Sequence, residues 1–405
     1  MSPTPVSNHD YDIQVHHSTS QIDAAEWNQL LSAQSNPTPF MKYEYLHAME
    51  HSLSATQETG WSTRFITIHR DQVLIAACPM YLKTHSYGEF VFDWAWASAY
   101  QQHGLPYYPK ALVAIPFTPV PGTRLMAVDE ESKELLSIVI KTWVKEHNLS
   151  SVHLLFGSED DLNVCAKNKY MLRHTVQFHW QNAGFSDFND FLSSLNQEKR
   201  KKIKQEKARV AKAGVTFISK EGPHISQEDW AFFYKCYEQT YYEHGNAPYL
   251  TREFFESMRN TMAHNWVLFI ATKDQERIAC SLVAVSDAGA YDRELGGENV
   301  SNNRVAYGRY WGALERVDCL HFEACYYAPI EWCIHNHITR FEGGAQGEHK
   351  MARALMPVKT SSAHYLVNPS FSSAVQNFLD REEQGIENYM EDLERRTPLK
   401  GVLLT

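Results

Sequence analysis

The sequence predicts an α/β chain folded as two related halves, and three observations carry that expectation. At 405 residues the chain is long for one hydrophobic core, so two domains are the natural division. Two β-rich runs share one design, WSTRFITIHRDQVLIAACPMYLKTH and, much later, NWVLFIATKDQERIACSLVAVSD. Phe65–Ile66 answers to Phe269–Ile270, Asp71–Gln72 to Asp274–Gln275 and Ile75–Ala76 to Ile278–Ala279, with one residue of slippage before the turn. Each run reads as two strands about a polar turn, which signals a β-hairpin, and a recurring design points to an internal repeat. The third observation is a strongly basic helical stretch between the two runs.

The elements follow in order. Asp23 is placed to cap a helix through Trp27, Leu30 and Leu31, and PFMKYEYLHAMEHS carries apolar residues at helical spacing. After the first hairpin, FNDFLSSLNQEKRKKIKQEKARVAKAGVTF predicts a connecting helix over 186–214, capped at Asn189 or Ser193 and ended by Gly214. Its apolar stripe (Leu192, Leu195, Ile203, Val210) is narrow. Lys199, Arg200, Lys201, Lys202, Lys204, Lys207, Arg209 and Lys212 are opposed only by Glu198 and Glu206. Such a helix is either a solvated connector or a surface for the phosphates of a donor, a tRNA backbone or anionic lipid. In the second half, Phe322, Cys325, Tyr326, Ile330, Cys333 and Ile334 keep a helical period despite Pro329, and ITRFEGG reads as a short strand entering a glycine-rich exit. A last helix docks through Phe371, Val375, Phe378 and Leu379 and leaves its charged end free. The expected division is 1–185, the connecting helix 186–214, 215–368, and a terminal helix and tail over 369–405.

Composition narrows the function classes. A net charge of −10 argues against a general nucleic-acid coat protein. Seven cysteines, an odd number without C-x-x-C spacing, read as reduced thiols. No basic region followed by an apolar one opens the chain, and no uncharged apolar run approaches the ~20 residues that span a bilayer. The expectation is a cytoplasmic protein, monomer or homodimer, with no transmembrane segment and room for peripheral membrane contact.

Histidines number 20, but H-E-x-x-H is absent and HFEAC and HNH lack zinc-site spacing, so no metal is expected. Neither a G-x-S-x-G elbow, a Walker loop nor a dinucleotide fingerprint occurs, which sets aside serine hydrolases, NTPases and dehydrogenases. What remains is a set of polar clusters among aromatics. In YGEFVFDWAWASAYQQHGLPYYPK, Asp93 sits between Phe92 and Trp94, with Trp96, Tyr108 and Lys110 following. A carboxylate stripped of water there has a raised pKa suited to proton transfer, or else anchors a buried hydrogen bond. In GRYWG, Arg309 beside Tyr310 and Trp311 makes a fork for a phosphate or carboxylate. In HFEACYY, His321 and Glu323 are two apart and point to different helix faces. EGGAQGEHK sets Glu342, Gly343, Gly344, Gln346, Gly347, Glu348, His349 and Lys350 on a flexible exit, either a solvated turn or a reaction site.

The runs LKTHSYGEFVFDWAWA, YYPKALVAIPFTPVPGTRLM, QFHWQNAGFSDFNDFL, YLTREFF, GRYWGALERVDCLHFEACYYAPIE and FEGGAQGEHKMARALMPVKTSSAH resemble the FemAB-like family of N-acyltransferases and peptidoglycan biosynthesis or recognition proteins, from about Asn28 to Leu379. The resemblance implies two tandem GNAT-like (acyl-CoA N-acyltransferase-like) domains, each a mixed twisted sheet flanked by helices, as in Fem-type ligases. It implies transfer of an acyl or aminoacyl group from a CoA thioester or an aminoacyl-tRNA to an amine such as a cell-wall precursor, with no tightly bound cofactor. ITRFEGG then resembles the late strand that lines the donor cleft. Glycines 343, 344 and 347 would let the backbone approach a ligand. Glu342, Glu348 or Asp93 would take the amine proton, His349 would relay it, and Lys350 would hold a phosphate or the oxyanion. Trp94, Trp96, Tyr108, Lys110, Arg309, Tyr310, Trp311, His321, Glu323 and Gln346 would bind acceptor or donor, with Lys199, Arg200, Lys202 and Lys204 holding an anion. The acceptor is expected between the halves, at Asp93, Trp94, Lys110, Arg309 and the 342–350 loop. The pyrophosphate loop R/Q-x-x-G-x-G/A has no clean copy, RYWGAL coming nearest, which keeps donors other than acetyl-CoA open. The alternative function is a recognition protein that holds a peptidoglycan-type peptide without transfer.

Overall fold

A computed structural model describes residues 11–287, 304–345 and 347–400. The chain forms two compact units, one of Met1–Glu50, Ala55–Arg173 and Ser361–Leu379, the other of His51–Ser54, His174–Thr360 and Asp380–Thr405.

The first unit runs β1 (Tyr11–His16), α1 (Ala24–Ser32), α2 (Tyr43–His51), β2 (Trp61–Thr63), β3 (Phe65–Arg70), β4 (Val73–Cys78), β5 (Met80–Lys83), α3 (Trp94–Gln102), β6 (Lys110–Val113), β7 (Met126–Ala127), α4 (Glu130–Glu146), β8 (Ser151–Leu154) and α5 (Glu159–Lys167). Asp23 caps α1 as expected, its carboxylate accepting from the Ala25 and Glu26 N–H groups. Strands β1, β3, β4 and β7 make one small sheet, while β2, β5, β6 and β8 pair in that order in another. Pro79 separates β4 from β5. It cannot donate to a ladder, so the chain can leave one sheet there and enter the other. β6 and β8 are parallel, and α4 lays Leu136, Ile140 and Val144 over Ile66, Ile68, Val152 and Leu154.

The second unit adds β9 (Met171–Gln181), α6 (Phe188–Ser194), α7 (Gln197–Lys212), β10 (Val215–Glu221), α8 (Gln227–Glu243), α9 (Arg252–Thr261), β11 (Trp266–Lys273), β12 (Glu276–Val285), β13 (Val305–Ala313), α10 (Leu320–Phe322), a π-turn over Glu323–Tyr327, α11 (Ala328–His335) and β14 (Arg340–Glu342). Its sheet has the order β10-β11-β12-β13-β14-β9, antiparallel except for β13 and β14. The paired hairpins are present. Asp71 and Gln72 take φ of 52° and 66°, Asp274 and Gln275 take 50° and 69°, the left-handed pair that a two-residue turn requires. A β-bulge follows Ile68 in one hairpin and Ala271 in the other, the same distance from the turn. The helical period across Pro329 is also present, the π-turn ending just before α11, where proline sits in the first turn.

The structure corrects three expectations. The 186–214 segment is two helices, capped by Asp187 and Asn196 rather than by Asn189 or Ser193. The final helix α12 (Pro369–Arg395) does not leave its charged end free, since Leu393 is fully buried and Tyr389 packs on the same core. The division at 185 moves to Arg173/His174, inside β9. The last strand, β15 (Met356–Leu366), carries the chain back, its Ala363–Leu366 part pairing antiparallel with β8 in the first unit, while His179–Gln181 of β9 pair with β14 in the second.

Gly312 on β13 has no room for a methyl group, because a Cβ there would lie 1.9 Å from the Cys236 carbonyl oxygen of α8. Gly312→Ala is expected to destabilise by about 1–3 kcal/mol in urea unfolding. Gly385→Ala, on α12 with open space around it, is expected to stabilise by about 0.5–1 kcal/mol.

Candidate active site

In the second unit, β13 and β14 pair over only three positions, Val305–Arg340, Ala306–Phe341 and Tyr307–Glu342. Beyond them β13 stays with β12 while β14 ends. A bulge falls just there. Leu282 faces Tyr310 and Val283 faces Gly308, which leaves Arg309 as the extra residue. A cavity of about 140 Å³ opens at this point, lined by Ser281, Leu282, Val283, Gly308, Arg309, Tyr310, Trp311, His321, Cys325, Tyr326 and Gly343. Five of the residues singled out in the sequence are therefore brought together: Arg309, Tyr310, Trp311, His321 and Gly343.

The π-turn supplies the wall. Its wider winding turns Cys325 and Tyr326 to the cavity and Glu323 away, where Glu323 accepts from Lys207 at 2.7 Å. Ser281 donates to the Ala324 carbonyl and ties the turn to β12. The Tyr326 hydroxyl and His349 Nε2 are 3.2 Å apart, and the Trp311 and His321 rings meet edge to face at 5.4 Å. Burial brings His321 down to about 4, helped by the charges of His349, Arg353 and Lys350. It also lowers His349 below its ordinary value, with Lys350 and Arg353 adding to the effect. Both rings are therefore neutral near pH 7.

The glycine-rich exit behaves as its composition suggests. A Cβ at Gly343 would strike Leu355 at 2.5 Å, and Gly344 and Gly347 take φ of +79° and +119°. Lys350 is buried and donates to the Gly344 and Ala345 carbonyls at 2.8 and 3.3 Å, so it braces the loop. Burial pulls its amine down to about 8. Glu348 is exposed and engaged by Arg396 and, at 3.2 Å, by the Tyr389 hydroxyl. Glu342 is buried on the other sheet face. Strand alternation turns Phe341 into the core beside Tyr326 and Tyr327, and Glu342 away from it. There Arg340 pairs with Glu342 at 3.0 Å, and His179, opposite it on β9, lies 3.8 Å away. His179 and Arg340 were missed by sequence reasoning, although register alone would have joined them to Glu342. Gln346 lies outside the described residues.

Asp93, Trp94, Trp96, Tyr108 and Lys110 fall in the first unit, where they belong to a buried ion cluster. Lys110, without solvent exposure, donates to Glu89 at 2.7 Å, to Ser86 at 2.8 Å and to Asp93. The Tyr107 hydroxyl donates to Asp93 at 2.6 Å and lies 3.1 Å from His153, which pairs with His364 at 2.8 Å. Tyr108 reaches Ser86, Trp96 packs on both histidines, and Trp94 is exposed. The raised pKa expected for Asp93 is corrected. Burial, the largest single influence, pushes it up, but the Lys110 ammonium, His153 and the hydrogen bonds from Lys110 and Ser86 together hold the carboxyl well below its usual range. Glu89 takes the opposite course, pushed up to about 7 by burial and by Asp93 against the pull of Lys110. Lys83, buried directly across from Lys110 on the neighbouring strand, is brought down to about 7 by burial. An open groove of about 900 Å³, bordered by Asp12, His16, Asp23, Glu26, His69 and Asp71, also lies in this unit. Asp23 there is a helix cap and His16 bonds Thr67, so the groove presents no activated nucleophile.

On α7, Lys199 pairs with Glu198, Lys207 with Glu323 and Glu331, and Arg209 with Asp318. Arg200, Lys201 and Lys204 instead border a shallow depression of about 410 Å³ with Gln197, Gln205 and Ala208, and Lys202 is exposed beside them. Among the described residues no group of histidine, cysteine or acidic side chains is arranged to hold a metal, and no helix is long and apolar enough to cross a membrane.

The model of the FemAB-like family, described as peptidoglycan biosynthesis/recognition, matches residues 18–401. Among solved structures the chain is similar to FemX, at 11% identity and a TM-score of 0.52 over 88% of this chain and 98% of that one. It is also similar to L-PGS from Bacillus licheniformis, at 10% identity and a TM-score of 0.51 over 88% and 97%. No curated protein matches. At such identity the likeness concerns the fold.

Lys110→Met leaves two buried carboxylates without their cation and is expected to cost about 3–5 kcal/mol in urea unfolding. Glu89, with its folded pKa raised, contributes stability that is complete below its unfolded value of 4.5 and is lost as pH rises through about 7. Glu89→Gln is expected to remove that decline from a plot of unfolding free energy against pH.

Proposed function

The chain belongs to the FemAB-like family, and on that premise we propose that it moves an acyl or aminoacyl group onto an amine at the β13–β14 cavity of the second unit. The observation that carries this reading is the parting of the two parallel strands at a bulge, beside a tyrosine that leads to a neutral histidine. The donor carbonyl enters the cavity beside the bulge at Gly308 and Arg309, where main-chain N–H groups would meet a developing oxyanion. The neutral amine attacks the carbonyl carbon and a C–N bond forms. The bond to the donor's leaving sulfur or oxygen then breaks. The proton released from nitrogen passes to Tyr326 and on to His349, which is half open to water, and the leaving group takes a proton from solvent. Glu342, on the opposite face with His179 and Arg340, is suited to orient an amine arriving from that side, and Glu348 serves to hold the loop.

Aminoacyl-tRNA is the favoured donor class. The residues between β13 and α10, LERVDC, contain no glycine, and Glu315 and Asp318 stand there paired with Lys273 and Arg209. Carboxylates where a pyrophosphate would seek a helix start disfavour a CoA thioester. Arg200, Lys201, Lys202 and Lys204 offer a phosphodiester chain an unopposed cationic face.

The test is covalent transfer of label from charged tRNA or acyl-CoA to a panel of amines, including amino sugars and cell-wall peptides. No transfer from any donor would overturn the proposal. Tyr326→Phe and His349→Ala are each expected to lower kcat about 10²-fold. The relay needs neutral His349, so kcat/KM falls as pH drops through its lowered pKa. The acid limb is therefore expected below 6.5 and is lost in His349→Ala. Arg200→Gln/Lys201→Gln/Lys204→Gln is expected to flatten the dependence of log Kd for tRNA on log salt by about 2–3 in slope.

A further inference from the structure

The segment joining β5 to α3 is turned inside out. Three of its polar side chains, Ser86, Glu89 and Asp93, are buried on Lys110, with Thr84 left exposed at its start, whereas Tyr87, Phe90, Phe92 and Trp94 are 60, 37, 53 and 43% exposed. Two backbone positions enforce the inversion. Gly88 takes φ +80° with Phe117 where its Cβ would be, and Phe90, a bulky residue, is held at φ +61°. A left-handed phenylalanine is strained. The Lys110 contacts to Glu89 and Asp93, on either side of it, are what hold it there. Arg173 completes the display, donating to the Phe92 carbonyl at 2.6 Å and lying over the Trp96 and Phe378 rings, the latter 37% exposed.

We propose that this aromatic display is a docking surface for the interfacial layer of a phospholipid membrane. Contiguous exposed rings mark an interaction site, and the chemistry around them selects the partner. A sugar-binding platform needs carboxylates or amides beside its rings, yet here both acids of the segment face inward and are engaged. A bilayer interface takes aromatic side chains that have no outward carboxylate among them to repel the headgroup phosphates. In a chain of net charge −10, the segment meets that condition because its two acids are buried. The inference stands apart from the transfer reaction.

The experiment is flotation of the full-length protein with vesicles of phosphatidylcholine alone and of phosphatidylcholine mixed with phosphatidylglycerol. Wild-type protein is expected to float with both, because ring insertion does not need lipid charge. Phe92→Ser/Trp94→Ser, with thermal unfolding unchanged, is expected to lose at least about tenfold in partitioning, the weight of two partly buried aromatic side chains. Wild-type protein that stays unbound in both mixtures overturns the proposal. So does a double variant that floats equally well. Binding confined to the phosphatidylglycerol mixture and unchanged in the double variant assigns the attraction to α7 and likewise overturns it.

Discussion

Among the described residues three pairs join β13 to β14, and the cavity of the second unit depends on their ending where they do. A longer parallel ladder would fill the space between the strands with main-chain hydrogen bonds. Instead the bulge at Leu282 and Val283 gives β13 one residue too many, which swings Arg309 out of register and turns Trp311 towards His321. The π-turn makes a related use of an irregular backbone. By inserting a wider turn ahead of Pro329 it presents Cys325 and Tyr326 to the gap and keeps Glu323 on the far side with Lys207. Two departures from regular geometry, one in a strand and one in a helix, thus meet at one cavity.

The first unit solves a different problem. Lys83 and Lys110 are paired across neighbouring strands without solvent, an arrangement that repulsion alone would forbid. Glu89 and Asp93 reconcile them unequally. Asp93 keeps its charge beside Lys110, while Glu89 and Lys83 both titrate near neutrality. Burying these groups is costly, and the return is positional. The carboxylates fix the course of the loop that carries them.

How much of this was legible in the sequence differs by kind of signal. The twin hairpins could be read because their turns need the same residues. Asp71–Gln72 and Asp274–Gln275 take the same left-handed pair of conformations, and a bulge stands at the same distance before each turn. Arg309, Trp311, His321 and Gly343 could be found because glycine and aromatic residues cluster around them. The pKa of Asp93 could not, since its neighbour Lys110 is 17 positions away and only the loop geometry joins them. Tyr326 was hidden for a similar reason, counted as one more apolar residue of a helix whose π-turn nothing local announces. Lys350 and Glu348 looked chemical in sequence because charge on a glycine-rich loop does, yet both are spent on holding that loop in shape.

The crossing of β9 and β15 has a consequence for how the molecule comes into being. Ala363–Leu366 of β15, which pair with β8, lie more than two hundred positions after it in the chain. A nascent polypeptide must therefore leave the amino-terminal unit with an unpaired β8 edge throughout synthesis of the other. Contacts of such long separation close slowly, and an open edge invites pairing with foreign strands. Maturation of the first half waits on a segment that emerges only after most of the second half has been made.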